Sequence, residues 1–398
     1  MEKVILYSCL SWIVVVGASG AAEQAVPDGG VYGDIYGYEV NTEAPIESEI
    51  LTPPLTFTNE FGTLTLYGQL HLAYQSFNDG DTTTDGIVDN DNWNTRLGFL
   101  YNKTIGDFTL RARFESGLGL RNSASVSQES EPKWIDPQRT NLRWFELAVD
   151  SPYGTVSAGQ GSSATDGTTG LDDSFTSHAG ATDSTDGFSA FRFRDDGGSL
   201  TDVSVGRVND AFDGARRFRV RYDTPAYRGV TLASSYGINV LTAGDDNDYY
   251  DIATRWLGDI GDVSVRSAVG YQWIDDPDRA NSERVAGSVS AIHTPTGLNY
   301  AISAGRLIGG ANYYWMRAGW QLDLLDAGTT SLSVDYYNGS DFLSSGAKTE
   351  NYGIYAVQTI DAASLDIYAG WRALTYSDKT GTSYQDAAGF LMGFRFAF

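Results

Sequence analysis

Apolar and polar residues alternate along most of the chain. In residues 62–77, GTLTLYGQLHLAYQSF, leucine and tyrosine occupy most even positions, whereas threonine, glutamine and histidine occupy most odd ones. Side chains of a β-strand alternate between its two faces, so this segment predicts a strand with one apolar and one polar face. It is much longer than the roughly five or six residues usual in globular proteins. Its length favours a tilted strand that crosses a membrane.

The same alternation recurs later with arginine on the polar face. Residues 108–118 place Phe108 and Leu110 on one face, and Arg111, Arg113 and Glu115 on the other. Segments 262–273 and 364–373 repeat the pattern. Arginines on many strands would be costly in a dry core but are tolerated on a face that lines water. The pattern therefore argues against a soluble β-sandwich and for a barrel with a wet interior.

The spacing of these segments predicts the architecture. Short connections alternate with long acidic loops, which is typical of outer-membrane barrels. We predict an all-β fold, a closed antiparallel transmembrane β-barrel of sixteen strands, because an even count returns the last strand beside the first. The strands centre near residues 70, 98, 113, 145, 157, 220, 235, 253, 268, 289, 302, 317, 334, 355, 370 and 393.

Residues 188–208 hold two further strand-like runs around the sequence DDGG. They could be two more wall strands, which would give eighteen. We prefer a hairpin inside the third long loop, because the flanking pattern then keeps its register.

The amino-terminal residues predict export. Lys3 precedes the apolar run VILYSCLSWIVVVG and then small residues, so residues 1–22 are interpreted as a signal peptide of the Sec pathway. The run is too short for a membrane-spanning helix. Residues 23–61 are acidic, lack Lys and Arg, and predict a mostly irregular segment. The barrel domain is predicted over residues 62–398.

Composition excludes several classes of partner and cofactor. The formal net charge of −24 argues against nucleic-acid binding. One cysteine, Cys9, and three histidines leave little room for a metal cluster, so we predict no cofactor. Acidic clusters in 79–92 and 245–248 could hold Ca²⁺ or bridge to lipopolysaccharide through it. Neither has EF-hand spacing, and solvated loops are the preferred interpretation.

The last ten residues, GFLMGFRFAF, form an aromatic stripe. Phe390, Met392 and Phe394 begin a series at even positions that continues through Phe396 to Phe398, whereas Arg395 has the opposite parity. We interpret the stripe as the lipid-facing side of the closing strand.

Several segments, in order along the chain, resemble the Gram-negative general porins, with an alphaproteobacterial character. These are 62–77, 93–99, 146–161 and 218–237, together with the terminal phenylalanine. The resemblance implies an outer-membrane barrel of sixteen strands, usually a homotrimer, that passes small hydrophilic solutes and ions by diffusion. It implies contacts with outer-membrane lipid and lipopolysaccharide. It also implies that Phe394, Phe396 and Phe398 are an assembly signal read by the barrel assembly machinery.

In porins the third loop folds inward and its acids face basic wall residues. Here that loop is residues 161–216, without the PEFGG element of enterobacterial porins, so which acids reach the waist stays open. The resemblance points to loop acids Asp166, Asp172, Asp173, Asp183 and Asp186, to wall residues Arg96, Arg111, Arg113, Arg217, Arg219 and Arg221, and to Glu115 in the lumen. Alternatively, four of these arginines are solvated wall residues that pair locally with Glu115 or Asp223, namely Arg111, Arg113, Arg219 and Arg221.

Two other functions were weighed. A barrel hydrolase needs a base beside a nucleophile, but no G-x-S-x-G motif accompanies His71, His178 or His293. A channel specific for a sugar or another small solute could use aromatic side chains. However, tryptophans such as Trp273 and Trp371 fall on the apolar face, where interfacial belts explain them. The net charge suggests a mild cation preference.

Overall fold

The computed structural model describes residues 55–182 and 185–398, so the predicted signal peptide and most of the acidic segment lie outside the described residues. The described part is almost entirely β-structure. Its strands are β1 Leu55–Asn59, β2 Gly62–Asn78, β3 Thr83–Asp89, β4 Arg96–Ile105, β5 Phe108–Gly117, β6 Leu142–Ser151, β7 Gly154–Ser162, β8 Arg192–Arg194, β9 Leu200–Ser204, β10 Arg216–Asp223, β11 Val230–Ile238, β12 Asp248–Ile260, β13 Val263–Asp275, β14 Ser282–His293, β15 Leu298–Leu307, β16 Asn312–Leu325, β17 Gly328–Ser340, β18 Lys348–Ile360, β19 Leu365–Ser377 and β20 Ala387–Ala397.

Helical structure is limited to single turns. The α-helical turns are α1 Thr185–Phe188 and α2 Val205–Val208, and the 3-10 turns are Asp91–Trp93, Ser123–Ser125, Pro137–Arg139 and Asp361–Ala363. None of the helices in the described ranges is long and apolar enough to cross a membrane.

The wall is a closed antiparallel barrel. Sixteen strands, β2, β4–β7 and β10–β20, each pair with the next, and β20 returns to β2 with Gln69 opposite Ala397 and Asn78 opposite Ala388. All sixteen predicted strand centres fall within these strands, so that prediction is confirmed. Closure is completed by a pair of backbone hydrogen bonds between Gly68 and Phe398, of 2.9 and 3.0 Å.

Two short strands extend the wall beside β2. The first half of β2 pairs with β4, from Thr63 to Gln69, and its second half pairs with β3, from Leu72 to Asn78. On the opposite edge of β2, β1 pairs with Gly62–Leu66. This part of β2 precedes Gln69, where the pairing with β20 begins. Residues 55–59, at the end of the segment predicted to be mostly irregular, therefore form a strand. The reason is that β2 begins before β20 can reach it, and β1 pairs with the backbone groups left over.

The two faces of the wall follow the predicted alternation. On β20 Met392 is 49 % exposed and Phe394 is 37 % exposed, whereas Leu391 between them is 2 % exposed. On β2 the leucines face outward, while Gln69, His71 and Gln75 are buried inside. The outer face is thus apolar and the inner face polar, as a membrane barrel with a wet interior requires.

Residues 188–208 contain a hairpin that is not part of the barrel wall. β8 and β9 pair with each other in a separate two-stranded sheet. In the turn, the Asp195 carbonyl accepts a hydrogen bond from the Gly198 N–H at 2.9 Å, and the Asp195 side chain accepts one from the Ser199 N–H at 2.9 Å. Gly198 has φ of 84°, a conformation that glycine adopts at little cost. The preferred hairpin interpretation is confirmed.

Candidate pore constriction

The third loop runs along the buried face of successive wall strands. Its backbone supplies most of these contacts, and the wall supplies serine, glutamine and arginine side chains. The contacts are Ala164 N–H to Ser235 Oγ on β11 at 2.8 Å, Asp173 N–H to Ser290 Oγ on β14 at 2.9 Å, Arg372 Nη2 on β19 to Ala181 O at 2.8 Å, and Gln75 Nε2 on β2 to Gly187 O at 2.6 Å.

A buried ionic network anchors the middle of this loop. Arg317 on β16 pairs with Asp172 of the loop at 2.6 Å and with Asp335 on β17 at 2.7 Å. Arg372 on β19 pairs with the same Asp335 oxygen at 2.7 Å. The Arg317 side chain is 1 % exposed. Because charges this deeply buried must be paired, the network fixes the loop to three wall strands.

Aromatic packing holds the second half of the loop. Phe191 stacks on Phe77 of β2, with ring centroids 4.2 Å apart, and Phe193 lies 5.9 Å from Tyr376 of β19. Phe212 lies 5.8 Å from Tyr313 of β16. These rings belong to one buried cluster that joins the loop hairpin to interior-facing residues of β2, β16 and β19.

Strands β4, β5 and β6 carry a group of arginines around a single carboxylate. Glu115 on β5 pairs with Arg143 at 2.5 Å, Arg113 at 3.2 Å and Arg96 at 3.7 Å, and accepts a hydrogen bond from the Tyr67 hydroxyl at 2.8 Å. The guanidinium of Arg113 also lies 4.1 Å from the ring centre of Trp144. We call Arg96, Arg113, Arg143 and Glu115 the arginine cluster.

The other predicted wall arginines also have nearby partners. Arg221 pairs with Asp223 at 2.6 Å, Arg111 with Asp150 at 2.7 Å, Arg219 with Glu146, and Arg217 lies over the ring of Tyr249 at 4.1 Å. The local pairs weighed as the alternative, Arg113 with Glu115 and Arg221 with Asp223, are therefore present.

The predicted loop acids are distributed over several partners. Asp172 pairs with Arg317, and Asp173 pairs with Arg266 on β13. Asp166 interacts electrostatically with Arg216 at the start of β10. Asp183 and the side chain of Asp186 lie outside the described residues.

Asp213 in the same loop was missed from sequence. Burial and the nearby Asp166 carboxylate raise the pKa of Asp213 to about 7. The Asp213 carboxylate accepts backbone hydrogen bonds from Gly167 at 2.9 Å and Thr168 at 3.0 Å, so it braces the start of the loop.

Two important arginines were also missed from sequence, for different reasons. Arg317 lies on the inner face by simple alternation with Tyr313 and Trp315, so the signal was available in the sequence. Arg143 is the extra residue of a β-bulge, because Glu115 lies opposite Trp144 and Ser116 lies opposite Leu142. A bulge breaks the period of two, so parity could not place Arg143 inside.

The histidines make structural contacts. His71 Nδ1 donates to the Trp93 carbonyl at 2.9 Å, and His293 on a short turn contacts Thr296 Oγ1 at 2.7 Å. Burial and the positive charges of Arg395 and Arg317 lower the pKa of His178 to about 3, so this loop residue is neutral at ordinary pH. Within the described residues, no three His, Cys, Asp or Glu side chains are grouped as metal ligands.

The sequence model of the Gram-negative porins matches residues 12–380. The chain belongs to the Gram-negative porin family. Family and fold together make it an outer-membrane channel for passive diffusion, and they point away from an enzyme. Among curated proteins, none matches the sequence.

Solved porin structures share the barrel of this porin at low sequence identity. An anion-selective porin from Comamonas acidovorans has a TM-score of 0.58 and 14 % identity, covering 85 % of this chain and 100 % of that one. OmpF of Salmonella typhi, in complex with daunomycin, has a TM-score of 0.55 and 14 % identity, covering 86 % and 100 %. The DcaP channel of Acinetobacter baumannii has a TM-score of 0.52 and 12 % identity, covering 87 % and 100 %. Identities this low bear on the fold alone.

Proposed function

We propose that this porin is a general diffusion channel whose waist lies between the third loop and the arginine cluster. The observation that carries the proposal is that the third-loop contacts and the arginine cluster lie on different strands of the inner wall. Loop contacts extend from β11 round to β2, whereas the arginine cluster lies on β4, β5 and β6. A loop held against one side of the barrel interior leaves the water path beside the other side, where the arginines are.

The mechanism is electrostatic filtering of hydrated solutes. Guanidinium groups on one side of the waist and carboxylates on the other set up a field across the water path. Small polar solutes exchange water for contacts with the wall, and rings of charge set the ion preference. Apolar solutes gain nothing from these contacts and must disturb ordered water.

The charge at the waist, rather than the net charge of −24, should set selectivity. Loop carboxylates beyond a Debye length of about 8 Å from the path are screened at physiological salt. Arg143 and Arg216 stand close enough to influence each other electrostatically, and Arg143 contacts Glu115, the one carboxylate of the arginine cluster. We therefore propose a preference for anions over cations.

The test is a reversal-potential measurement in a KCl gradient across a planar bilayer. Substituting Arg143→Ser and Arg216→Ser together should lower the chloride-to-potassium permeability ratio about threefold. Arg279→Ser is the matched control, because Arg279 is an exposed residue in an external loop. An unchanged ratio in the double variant would remove these arginines from the filter.

General diffusion and binding of one solute can be separated by liposome swelling. A general channel gives rates that fall smoothly with the size of the sugar. Saturation by a single sugar would favour the substrate-specific alternative. The outward tryptophans Trp273, Trp320 and Trp371 are 43–47 % exposed, which supports an interfacial belt in place of a sugar track.

We also propose that the channel is a homotrimer, exported by the Sec pathway, that contacts lipid and lipopolysaccharide and works without enzymatic activity or a cofactor. A trimer form of OmpT from Vibrio cholerae, with a TM-score of 0.51, supports the oligomer only as a fold-level analogy. Chemical cross-linking in outer-membrane vesicles should give a trimer band.

The aromatic end of β20 is proposed to direct assembly. Deleting Phe398 also removes the two backbone hydrogen bonds to Gly68. The amount of heat-modifiable protein in the outer membrane should fall strongly, while single-channel conductance of the assembled fraction stays near wild type. Normal assembly without Phe398 would contradict this role.

A further inference from the structure

The connection between β3 and β4 turns toward the interior of the barrel. Two inward side chains of β2 hold its backbone, since His71 Nδ1 donates to the Trp93 carbonyl and Gln69 Nε2 donates to the Asn94 carbonyl, each at 2.9 Å. Trp93 is 6 % exposed, and the guanidinium of Arg395 on β20 lies 4.7 Å from its ring centre. We call residues 90–95 the loop 1 turn.

The loop 1 turn also touches the third loop. Asn90 Nδ2 donates to the His178 carbonyl at 2.7 Å and to the Tyr368 hydroxyl on β19 at 2.8 Å. Asn90 itself is completely buried. The turn is therefore fixed between β2, β19, β20 and the third loop.

The acidic residue of this turn stands beside the basic side of the interior. The Asp91 carboxylate interacts electrostatically with Arg143 and Arg216. Its Oδ2 accepts a hydrogen bond from Asn122 Nδ2 at 3.3 Å, and its backbone N–H donates to Ser123 Oγ at 3.0 Å. Asp91 as a residue is half-buried.

We propose that Asp91 is a selectivity-determining residue of the pore, supplied by the first loop and set against Arg143 and Arg216. The proposal rests on the proposed channel function and deepens it. The negative charge of Asp91 offsets part of the positive charge at the waist, so it limits the passage of anions and keeps a path for cations. The constriction is then built from two loops, the third loop and the loop 1 turn.

The experiment compares matched charge changes at two positions of the first loop. Asp91→Asn and Asp91→Lys are measured against Asp85→Asn and Asp85→Lys, because Asp85 is exposed on β3. Each protein is reconstituted in planar bilayers, and the permeability ratio is taken from the reversal potential in a KCl gradient. We expect the chloride-to-potassium ratio to rise about twofold for Asp91→Asn and further for Asp91→Lys. The Asp85 variants should stay near wild type.

Two further readouts separate the possible failures. Wild-type protein that forms no channels would overturn the proposed function itself. Normal channels whose Asp91 variants shift no more than the Asp85 variants would overturn only the role of Asp91. Lower heat resistance of Asp91→Asn with an unchanged permeability ratio would show that the residue is merely structural. A shift that shrinks at about 1 M salt is also expected, because screening weakens the field of one charge.

Discussion

The two sides of the barrel interior contain the same charged residue types in different surroundings. Between β11 and β2 the third loop contacts the wall, and Arg317, Asp335 and Arg372 there have side chains that are 1–3 % exposed. On β4, β5 and β6, the side chains of Arg96, Arg113 and Arg143 keep 11–12 % exposure. Removing one partner of an ion pair sealed in a dry cluster leaves an unpaired buried charge and is costly, whereas an ion pair with access to water remains available to ions.

The aromatic residues differ in the same way. On the loop-covered side, Phe77, Phe191 and Tyr337 are at most 1 % exposed and pack ring against ring. On the arginine side, Trp144 packs against the guanidinium of Arg113. Substitutions on the loop-covered side should therefore change stability, and substitutions on the arginine side should change permeability.

The largest expected effect is at Arg317. Arg317→Ala leaves the buried carboxylates of Asp172 and Asp335 with one fewer cation, which we expect to cost about 4 kcal/mol of unfolding free energy. The measurement is urea-induced unfolding in lipid vesicles, followed by gel migration. Arg266→Ala is the control, because that arginine is 38 % exposed in its pair with Asp173 and should cost at most about 1 kcal/mol. Equal losses in the two variants would contradict the argument that burial of the Arg317 network makes its loss costly.

A somewhat smaller loss is expected at Phe191. Phe191→Ala removes a fully buried ring that stacks on Phe77, and we expect about 3 kcal/mol of destabilisation. The same substitution at Phe99, which stacks on Phe114 on the outer face and is 36 % exposed, should cost less than half as much in the same unfolding assay. If Phe99→Ala is the more harmful of the two, the apolar cluster does not hold the loop.

The strands of the wall were predictable from sequence, because the alternation of apolar and polar side chains that defines them is local to each segment. Each strand must present apolar side chains outward and polar ones inward, so the period of two is written into every segment. β1 and β3 were not predicted, because each pairs with a part of β2 that extends beyond a neighbouring wall strand. That depends on the stagger of strands far apart in sequence.

The candidate site was less predictable than the wall. Alternation places Arg111, Arg113 and Arg219 on the inner face, but it does not say which loop reaches them. Arg143 comes inside through a bulge. Asp91 comes inside because His71 and Gln69 hold the backbone of its turn. Both depend on contacts between segments, which no local pattern encodes.

A moderate effect on permeability is expected at the wall arginines first identified from sequence. Arg113→Ser removes a guanidinium that contacts both Glu115 and Trp144, so the chloride-to-potassium permeability ratio should fall about twofold with little loss of stability. Arg111→Ser should have a smaller effect, because Arg111 is paired with Asp150 and lies further along β5 toward the short turn. A larger shift for Arg111→Ser would move the waist toward that end of the barrel.

The smallest expected effect is a dependence of selectivity on pH. Desolvation raises the pKa of the Asp91 carboxyl to about 6, although Arg143 and Arg216 oppose the shift, and burial with Asp166 raises the pKa of Asp213 to about 7. A carboxyl is ionised above its pKa, so both groups are charged at pH 8 and neutral at pH 5. Anion preference should therefore rise as pH falls across this range, by up to about twofold, which is the size expected for Asp91→Asn.

Part of this pH effect can be assigned to the two carboxyls. His178 stays neutral between pH 5 and pH 8, because its pKa is lowered to about 3. The double variant Asp91→Asn with Asp213→Asn should show a weaker dependence of the reversal potential on pH between pH 5 and pH 8. Burial also raises the pKa of Asp89, beside the loop 1 turn, to about 7, so Asp89 accounts for the remainder. A profile as steep as wild type in that variant would place the titrating groups elsewhere, whereas a shallower one would assign that part of the pH effect to Asp91 and Asp213.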